Sequence, residues 1–272
     1  MRVVSIGGVQ VSGLCIGGNP FSGFAHQTKE RGKEMTDFYT DAMIKQALRE
    51  SEEAGINTFF GRTDDHIFGV LRQYWDEGGT IQWFAQVRIE RDEGGEDAWR
   101  DWLQKSIDHG CVGAYIHGGV VDNWYASEKW DNFHESAELM KAGNISGGYA
   151  GHMFGAHAWI RDNLDIDFQM CSYYNPTDRS IVAHHSDEGE KWEDVDREAM
   201  FEVISSIQTP VVHYKVFAAG NRPIREGFEF MRDNMREGDI ACVGMFTKDD
   251  PEMIRKNVSL FEEYVDGVAV SA

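Results

Sequence analysis

Eight short apolar runs recur along the chain, at Gly13–Gly18, Ile56–Phe60, Ile81–Ile89, Cys111–His117, Ile145–His152, Phe168–Tyr174, Val211–Ala218 and Ile240–Phe246. Longer segments with apolar residues at helical spacing separate them, including Asp41–Ala54, Asp97–His109, Arg197–Ile207, Arg222–Arg236 and Pro251–Tyr264. A short run without polar alternation suits a strand buried on both faces, as in a parallel sheet covered by helices. Strand and helix alternating in this way build βαβ units, and eight such units close a parallel barrel. The pattern predicts an α/β fold, a (β/α)8 TIM barrel formed as one domain over residues 1–272. The segment Val3–Val11 with its Gly7–Gly8 pair reads as an N-terminal β-hairpin across the barrel floor.

Composition bears on what such a barrel meets. The 272 residues suit one barrel, since single barrels commonly run to about 250. No stretch approaches the roughly 18 to 20 apolar residues of a membrane span. The start MRVVSIGGVQ enters strand-like sequence directly, so a cytoplasmic protein with no membrane association is expected. Cys15, Cys111, Cys171 and Cys242 lie far apart in apolar runs without a Cys-x-x-Cys pair, the pattern of reduced core thiols. A net charge of −20 argues against nucleic acid as a partner and leaves a small-molecule substrate. Insertions at 21–40, after the first strand, and 177–196, after the sixth, follow strand ends and are placed to cover a catalytic face as lids or as loose loops.

Several segments together resemble the aldo-keto reductase superfamily over nearly the whole chain. They are Val11–Asn19 at the first strand, Glu53–Phe60 at the second, Ala114–His117 at the fourth, Tyr149–His152 at the fifth and Tyr174–Pro176 after the sixth. Val212–Phe217 with Gly220 at the seventh and Val243–Met245 at the eighth complete the set, with Pro251–Glu252 and Asn257 beyond. The resemblance implies a barrel that reduces carbonyls through an Asp-Tyr-Lys-His tetrad while a nicotinamide delivers hydride. Gly61 stands where the family has its aspartate, Asp65–Phe68 replaces the tyrosine region, Arg88 takes the lysine position and only His117 is retained. The 2′-phosphate segment Met245–Lys248 lacks the small residues and helix arginine that the family would bring. NADP is accordingly expected to bind weakly or not at all.

The polar residues near strand ends are the candidates for chemistry. His117, His152 and His213 close nearby strands and, with Lys215, are the candidate acid–base groups. The same three histidines form a candidate set for a divalent metal, completed by Asp64, Asp65 or Gln169, although strand-end histidines also serve simply to hydrogen-bond substrate. Period-two parity puts His213 and Lys215 on one inward face, and Gln86 with Arg88 on another. An inward lysine needs a partner, an anionic substrate or a lowered pKa. Asn19, Arg62, Gln86, Arg88, Tyr174 and Asn175 are the candidate substrate-binding residues. Trp124, Trp130 and Trp192 read as tryptophans of loop or loop-adjacent segments suited to ligand or lid contact, His184–His185 as solvated, and Gly118–Gly119 as a point of close backbone approach.

These residues predict a small-molecule enzyme with non-reductive proton-transfer chemistry (lyase, hydratase, isomerase or epimerase) on a sugar or keto-sugar, with a metal as an optional aid. The alternative is an NADP-dependent oxidoreductase with a rearranged tetrad, in which His66 or Tyr174 replaces the tyrosine. A non-catalytic barrel subunit is the third reading.

Overall fold

In a computed structural model, which describes residues 1–88, 95–175 and 191–267, the chain begins with β1 (Val3–Ile6) and β2 (Val9–Ser12), paired antiparallel. Eight further strands follow: β3 (Leu14–Gly17), β4 (Thr58–Arg62), β5 (Gln82–Val87), β6 (Gly113–Ile116), β7 (Ser146–Gly151), β8 (Phe168–Ser172), β9 (Val211–Tyr214) and β10 (Ile240–Gly244). They close a parallel barrel in the order β10-β3-β4-β5-β6-β7-β8-β9.

Around them run α1 (Lys29–Phe38), α2 (Asp41–Glu53), α3 (Asp65–Asp76), α4 (Trp99–Asp108), α5 (Gly118–Ala126), α6 (Trp130–Ala142), α7 (Phe154–Asn163), α8 (Asp194–Ile204), α9 (Ile224–Asn234) and α10 (Met253–Tyr264). The side chains of Thr28, Thr40 and Asp64 accept backbone N–H bonds at the starts of α1, α2 and α3. Each satisfies a donor that the first helical turn leaves open.

Alternation along the strands sorts residues between two cores. Leu14, Ile16, Phe59, Trp83, Ala85 and Ile116 pack against the helices. Cys15, Phe60, Phe84, Tyr115, Phe168 and Val212 fill the barrel, where Phe60 and Phe84 stack with centroids 4.8 Å apart. Burying one such ring contributes about 1.5–3 kcal/mol. Val4, Ile6 and Val11 of the hairpin join this inner cluster and close its floor. Its turn uses Gly7 and Gly8 at φ 55° and 85°, values a tight hairpin needs at both central positions.

Differences from expectation have local causes. The predicted runs overshoot at Tyr173–Tyr174 and Lys215–Ala218, where the ladder ends and the chain turns across the barrel mouth. The 21–40 insertion contains α1, a helix that its low apolar content hides. Of the 177–196 insertion, residues 177–190 lie outside the described residues, His184–His185 among them. Trp124 is no loop residue: it is buried on α5 against Trp99 and Phe133. Trp130 opens α6 and stacks on Trp159. All four cysteines are free and buried, and burial pushes the Cys111 and Cys242 thiols up to about 12. Among the described residues no helix is long and apolar enough to cross a membrane.

Candidate functional site

At the carboxyl ends of the strands, β7, β9 and α5 bring together three polar side chains. His152 follows β7; its Nδ1 lies 2.8 Å from Asp122 Oδ2 and its Nε2 3.2 Å from the Tyr214 hydroxyl. A carboxylate only accepts, so Nδ1 carries the proton and Nε2 presents a lone pair to the tyrosine. Asp122 comes from α5 and also accepts the backbone N–H groups of His152 and Met153, at 3.0 and 3.1 Å. Asp122 and His152 are buried, whereas Tyr214 is half-buried. The Tyr214 hydroxyl has a second acceptor in the Gly151 carbonyl at 3.1 Å. Gly118 leaves room for this chain, since a Cβ there would come 2.8 Å from His152 Cε1 and 3.0 Å from the Tyr214 oxygen.

Such an arrangement can move a proton. Transfer from Tyr214 to His152 Nε2 leaves an imidazolium beside Asp122 and a phenolate at the barrel mouth. Such a chain can take a proton from a bound molecule, and in reverse deliver one. Tyr115 lies deeper, buried with its hydroxyl 3.3 Å from Gln86 Nε2, and burial raises its pKa so that it stays protonated.

The remaining candidates spread around the same rim. Arg62, at the end of β4, pairs with Asp64 at 2.7 Å and lies over Phe24. Arg88 follows β5 with the parity of Gln86, and the His117 backbone N–H bonds the Val87 carbonyl at 2.7 Å as its own carbonyl opens α5. Asn19 Nδ2 is 3.4 Å from His26 Nε2, and Lys215 Nζ is 3.5 Å from the same nitrogen. Tyr174 is buried edge-on to Trp192, with its hydroxyl without a hydrogen bond among the described residues. The Asn175 N–H donates to Asp196 at 3.1 Å.

His213 departs from expectation. The inward residues of β9 are Val212 and Tyr214, so His213 faces the helices, stacked on Phe201 with Nε2 3.1 Å from Asp239. It therefore leaves both the acid–base set and the proposed metal trio. Among the described residues no group of three or more His, Cys, Asp or Glu side chains converges to hold a metal ion. Lys215 reaches the mouth by a different route from the one expected. A positive φ of 56° at the strand end turns it, in place of strand parity. His66 is exposed and bonded to Asp41, in the helix layer. At Gly61 a Cβ would stand 2.0 Å from the Phe59 ring, so the family's aspartate has no room.

Two members of the chain, Asp122 and Tyr214, escape a reading of the sequence. Asp122 is an acid within the apolar run Gly118–Trp124, an anomaly visible in the sequence. Tyr214 lies between the two residues assigned inward, so the opposite parity would have found it.

The loop after β10 completes the rim. Tyr39 donates its hydroxyl proton to the Met245 carbonyl at 2.7 Å and accepts the Thr247 N–H at 3.0 Å. Arg31 of α1 lies over Phe246 and pairs with Asp249 and Glu34, and Lys248 also pairs with Glu34 at 2.8 Å. The buried Asn257 Oδ1 has no hydrogen bond among the described residues.

No family model matches the chain, and no curated protein does. Solved structures do. A Pseudomonas aeruginosa protein provisionally described as an aldo-keto reductase matches with a TM-score of 0.66 and 17 % identity, over 97 % of this chain and 94 % of its own. An aldo-keto reductase from Bacillus halodurans in holo form matches at 0.59 and 15 %, over 100 % and 97 %. The NADPH complex of an aspartate-to-alanine variant of the protein Gox0644 matches at 0.58 and 12 %, over 96 % and 88 %. The likeness to aldo-keto reductases is thus one of fold.

Proposed function

We propose that the chain is a small-molecule oxidoreductase of the aldo-keto-reductase kind, acting at a carbonyl–alcohol centre with Tyr214 as its acid–base group. The observation that carries this is the Asp122–His152–Tyr214 chain, which offers a proton-transferring tyrosine to a barrel that keeps only His117 of the tetrad implied by the resemblance. The barrel shared with aldo-keto reductases, one of them in holo form, and with the NADPH-bound Gox0644 variant supports the class.

In the oxidising direction Tyr214 takes the proton of the substrate hydroxyl and passes its own to His152 Nε2, and Asp122 stabilises the imidazolium. In the reducing direction it returns the proton to the carbonyl oxygen. Arg62, Arg88 and His117 line the rim on which a developing oxyanion is held. A bound nicotinamide supplies or removes the hydride at carbon.

The loop after β10 fits the phosphorylated end of such a cofactor. Arg31 brings a guanidinium from the insertion over Phe246, next to Lys248, whereas Arg255 of α10 points away to Glu53. The ion pairs of Arg31 and Lys248 with Glu34 are partly exposed and worth about 0–1 kcal/mol, so a phosphate displaces them at little cost. Titration of the protein with NADPH, followed by cofactor fluorescence, is expected to saturate in the micromolar range. Arg31→Ala combined with Lys248→Ala should weaken NADPH about tenfold, the equivalent of about 1.4 kcal/mol, and leave NADH unchanged. No NADPH binding at millimolar concentration would remove the hydride step. The second reading, non-reductive isomerase or lyase work by the same proton chain, would then stand; it is favoured by the acids Glu34 and Asp249 at this loop.

A further inference from the structure

Outside the barrel, a cleft of about 500 Å³ opens between α3, the end of α4 and the outward face of β5. Its walls are Phe68, Leu71 and Trp75 of α3 and Trp83 of β5. Spacings of three and four residues bring Phe68, Leu71 and Trp75 to one face of their helix. Trp83 points outward because its neighbour Phe84 fills the barrel. Phe68, Leu71 and Trp83 are buried, so the cleft is a hollow in the apolar layer between helices and strands. Its volume and aromatic lining are those of a small-molecule site, which commonly encloses about 300–1,000 Å³ with few polar groups.

The lining specifies a flat apolar ligand. His109, just beyond α4, is exposed yet lies flat on the Phe68 ring, with centroids 4.1 Å apart and planes 14° apart. Its Nδ1 donates to the Lys105 carbonyl at 2.7 Å, which orients the ring. The cleft thus already stacks one planar ring on another. Trp83 and Trp75 donate their indole N–H groups to the Gly61 and Ile81 carbonyls at 3.1 and 2.9 Å, so neither needs a hydrogen bond from a ligand. Two charged side chains stand at the rim, Arg72 and Asp108, both exposed. Asp108 Oδ1 accepts from Gln104 at 2.8 Å, whereas Arg72 makes no hydrogen bond or ion pair among the described residues. A guanidinium at the edge of an aromatic hollow suits a ring that carries a carboxylate.

We propose that this cleft binds a planar aromatic carboxylate, its ring among Phe68, Trp75, Trp83 and His109 and its anion on Arg72. The site is separate from the mouth. His109 and Gly110 lead into the start of β6 on the floor side, whereas Tyr214 ends β9 at the opposite end of the barrel. Binding here is therefore independent of the reading of Tyr214 and of any cofactor. The chain's net charge of −20 repels anions at a distance, but at physiological salt that field is screened beyond about 8 Å and short-range contacts decide binding.

Calorimetric titration without cofactor, at physiological salt, tests this with indole-3-acetate, its neutral amide indole-3-acetamide and the amine tryptamine. The acid is expected to bind with a dissociation constant below about 1 mM. It should bind about fivefold more tightly than the amide, the scale of one charged contact at a rim open to water. Arg72→Gln should remove that preference and keep the melting temperature, because the side chain is exposed. His109→Ala removes one wall and should weaken acid and amide alike severalfold. Tyr214→Phe should bind the acid unchanged, so loss of turnover there, or absence of NADPH binding, strikes the oxidoreductase reading alone. A dissociation constant for the acid above about 1 mM, equal affinity for acid and amide, or tighter binding of tryptamine overturns the proposal. So does a preference that survives in Arg72→Gln, an affinity unchanged in His109→Ala, or one weakened in Tyr214→Phe.

Discussion

Tyr214→Phe is expected to lower turnover by about 10²- to 10⁴-fold, the range that a positioned acid–base group contributes. Its effect on folding should be small, since the variant loses one hydroxyl with two acceptors, Gly151 and His152, at a net cost of about 1 kcal/mol. The loss should fall on kcat with KM little changed, because the proton transfer belongs to the transition state. Asp122→Asn separates the chain from a lone tyrosine. The amide no longer fixes the Nδ1–H tautomer of His152 nor stabilises its imidazolium, so the pH–rate profile should shift as well as fall. A Tyr214→Phe enzyme of near-normal kcat would eliminate the proposed acid–base group whatever the cofactor proves to be.

The largest effect on stability is expected at Asp239, on the opposite side of the strands from the site. This buried carboxylate accepts the Val211 N–H at 2.9 Å and His213 Nε2–H at 3.1 Å, and Arg236 forks onto it at 2.7 and 2.9 Å. Burial alone would raise its pKa, but the bonds from His213 and Arg236 outweigh that and hold it well below the usual carboxylate range. Asp239→Ala strands a buried histidine and an arginine and should cost about 3–5 kcal/mol, read as a fall in the urea midpoint.

The pH dependence follows with a definite sign. Burial holds His213 below its ordinary 6.5, with Asp239 opposing, so on acidification the unfolded chain binds that proton first and stability declines below about pH 6.5. Asp239, depressed when folded, contributes fully above its unfolded value of about 3.9 and loses that contribution as pH falls towards its folded value. Both terms weaken the protein in acid. Urea midpoints at pH 7, 5 and 4 should fall in that order, with a steeper decline from pH 7 to 5 in Asp239→Ala, where no carboxylate opposes the effect of burial on His213. A midpoint flat from pH 7 to 4 contradicts the assignment of His213 to this structural pair.

The barrel was legible in the sequence because its cause is repetitive. Strands buried on both faces must be apolar throughout, and the helices covering them must carry an apolar stripe, so βαβ alternation appears as runs and periods. Gly7–Gly8 announced the hairpin for an equally local reason, the positive φ of a tight turn. The same uniformity concealed the site. Along Pro210–Ala218 both faces are apolar, so nothing local says whether His213 or Tyr214 points inward. Register with β8 and β10 decides it: Tyr214 goes to the mouth and His213 to Asp239, a residue of another strand's approach. His152 was identifiable as a polar residue ending an apolar strand, but its role depends on Asp122 from α5 and Tyr214 from β9, 30 and 62 positions away. Arg31, brought to the loop after β10 by an insertion more than 200 residues earlier, was equally out of reach. Which elements form is set by periodicity within a segment, whereas which side chains meet at the mouth is set by closure of the barrel. Closure pairs residues whose separation along the chain carries no local signal.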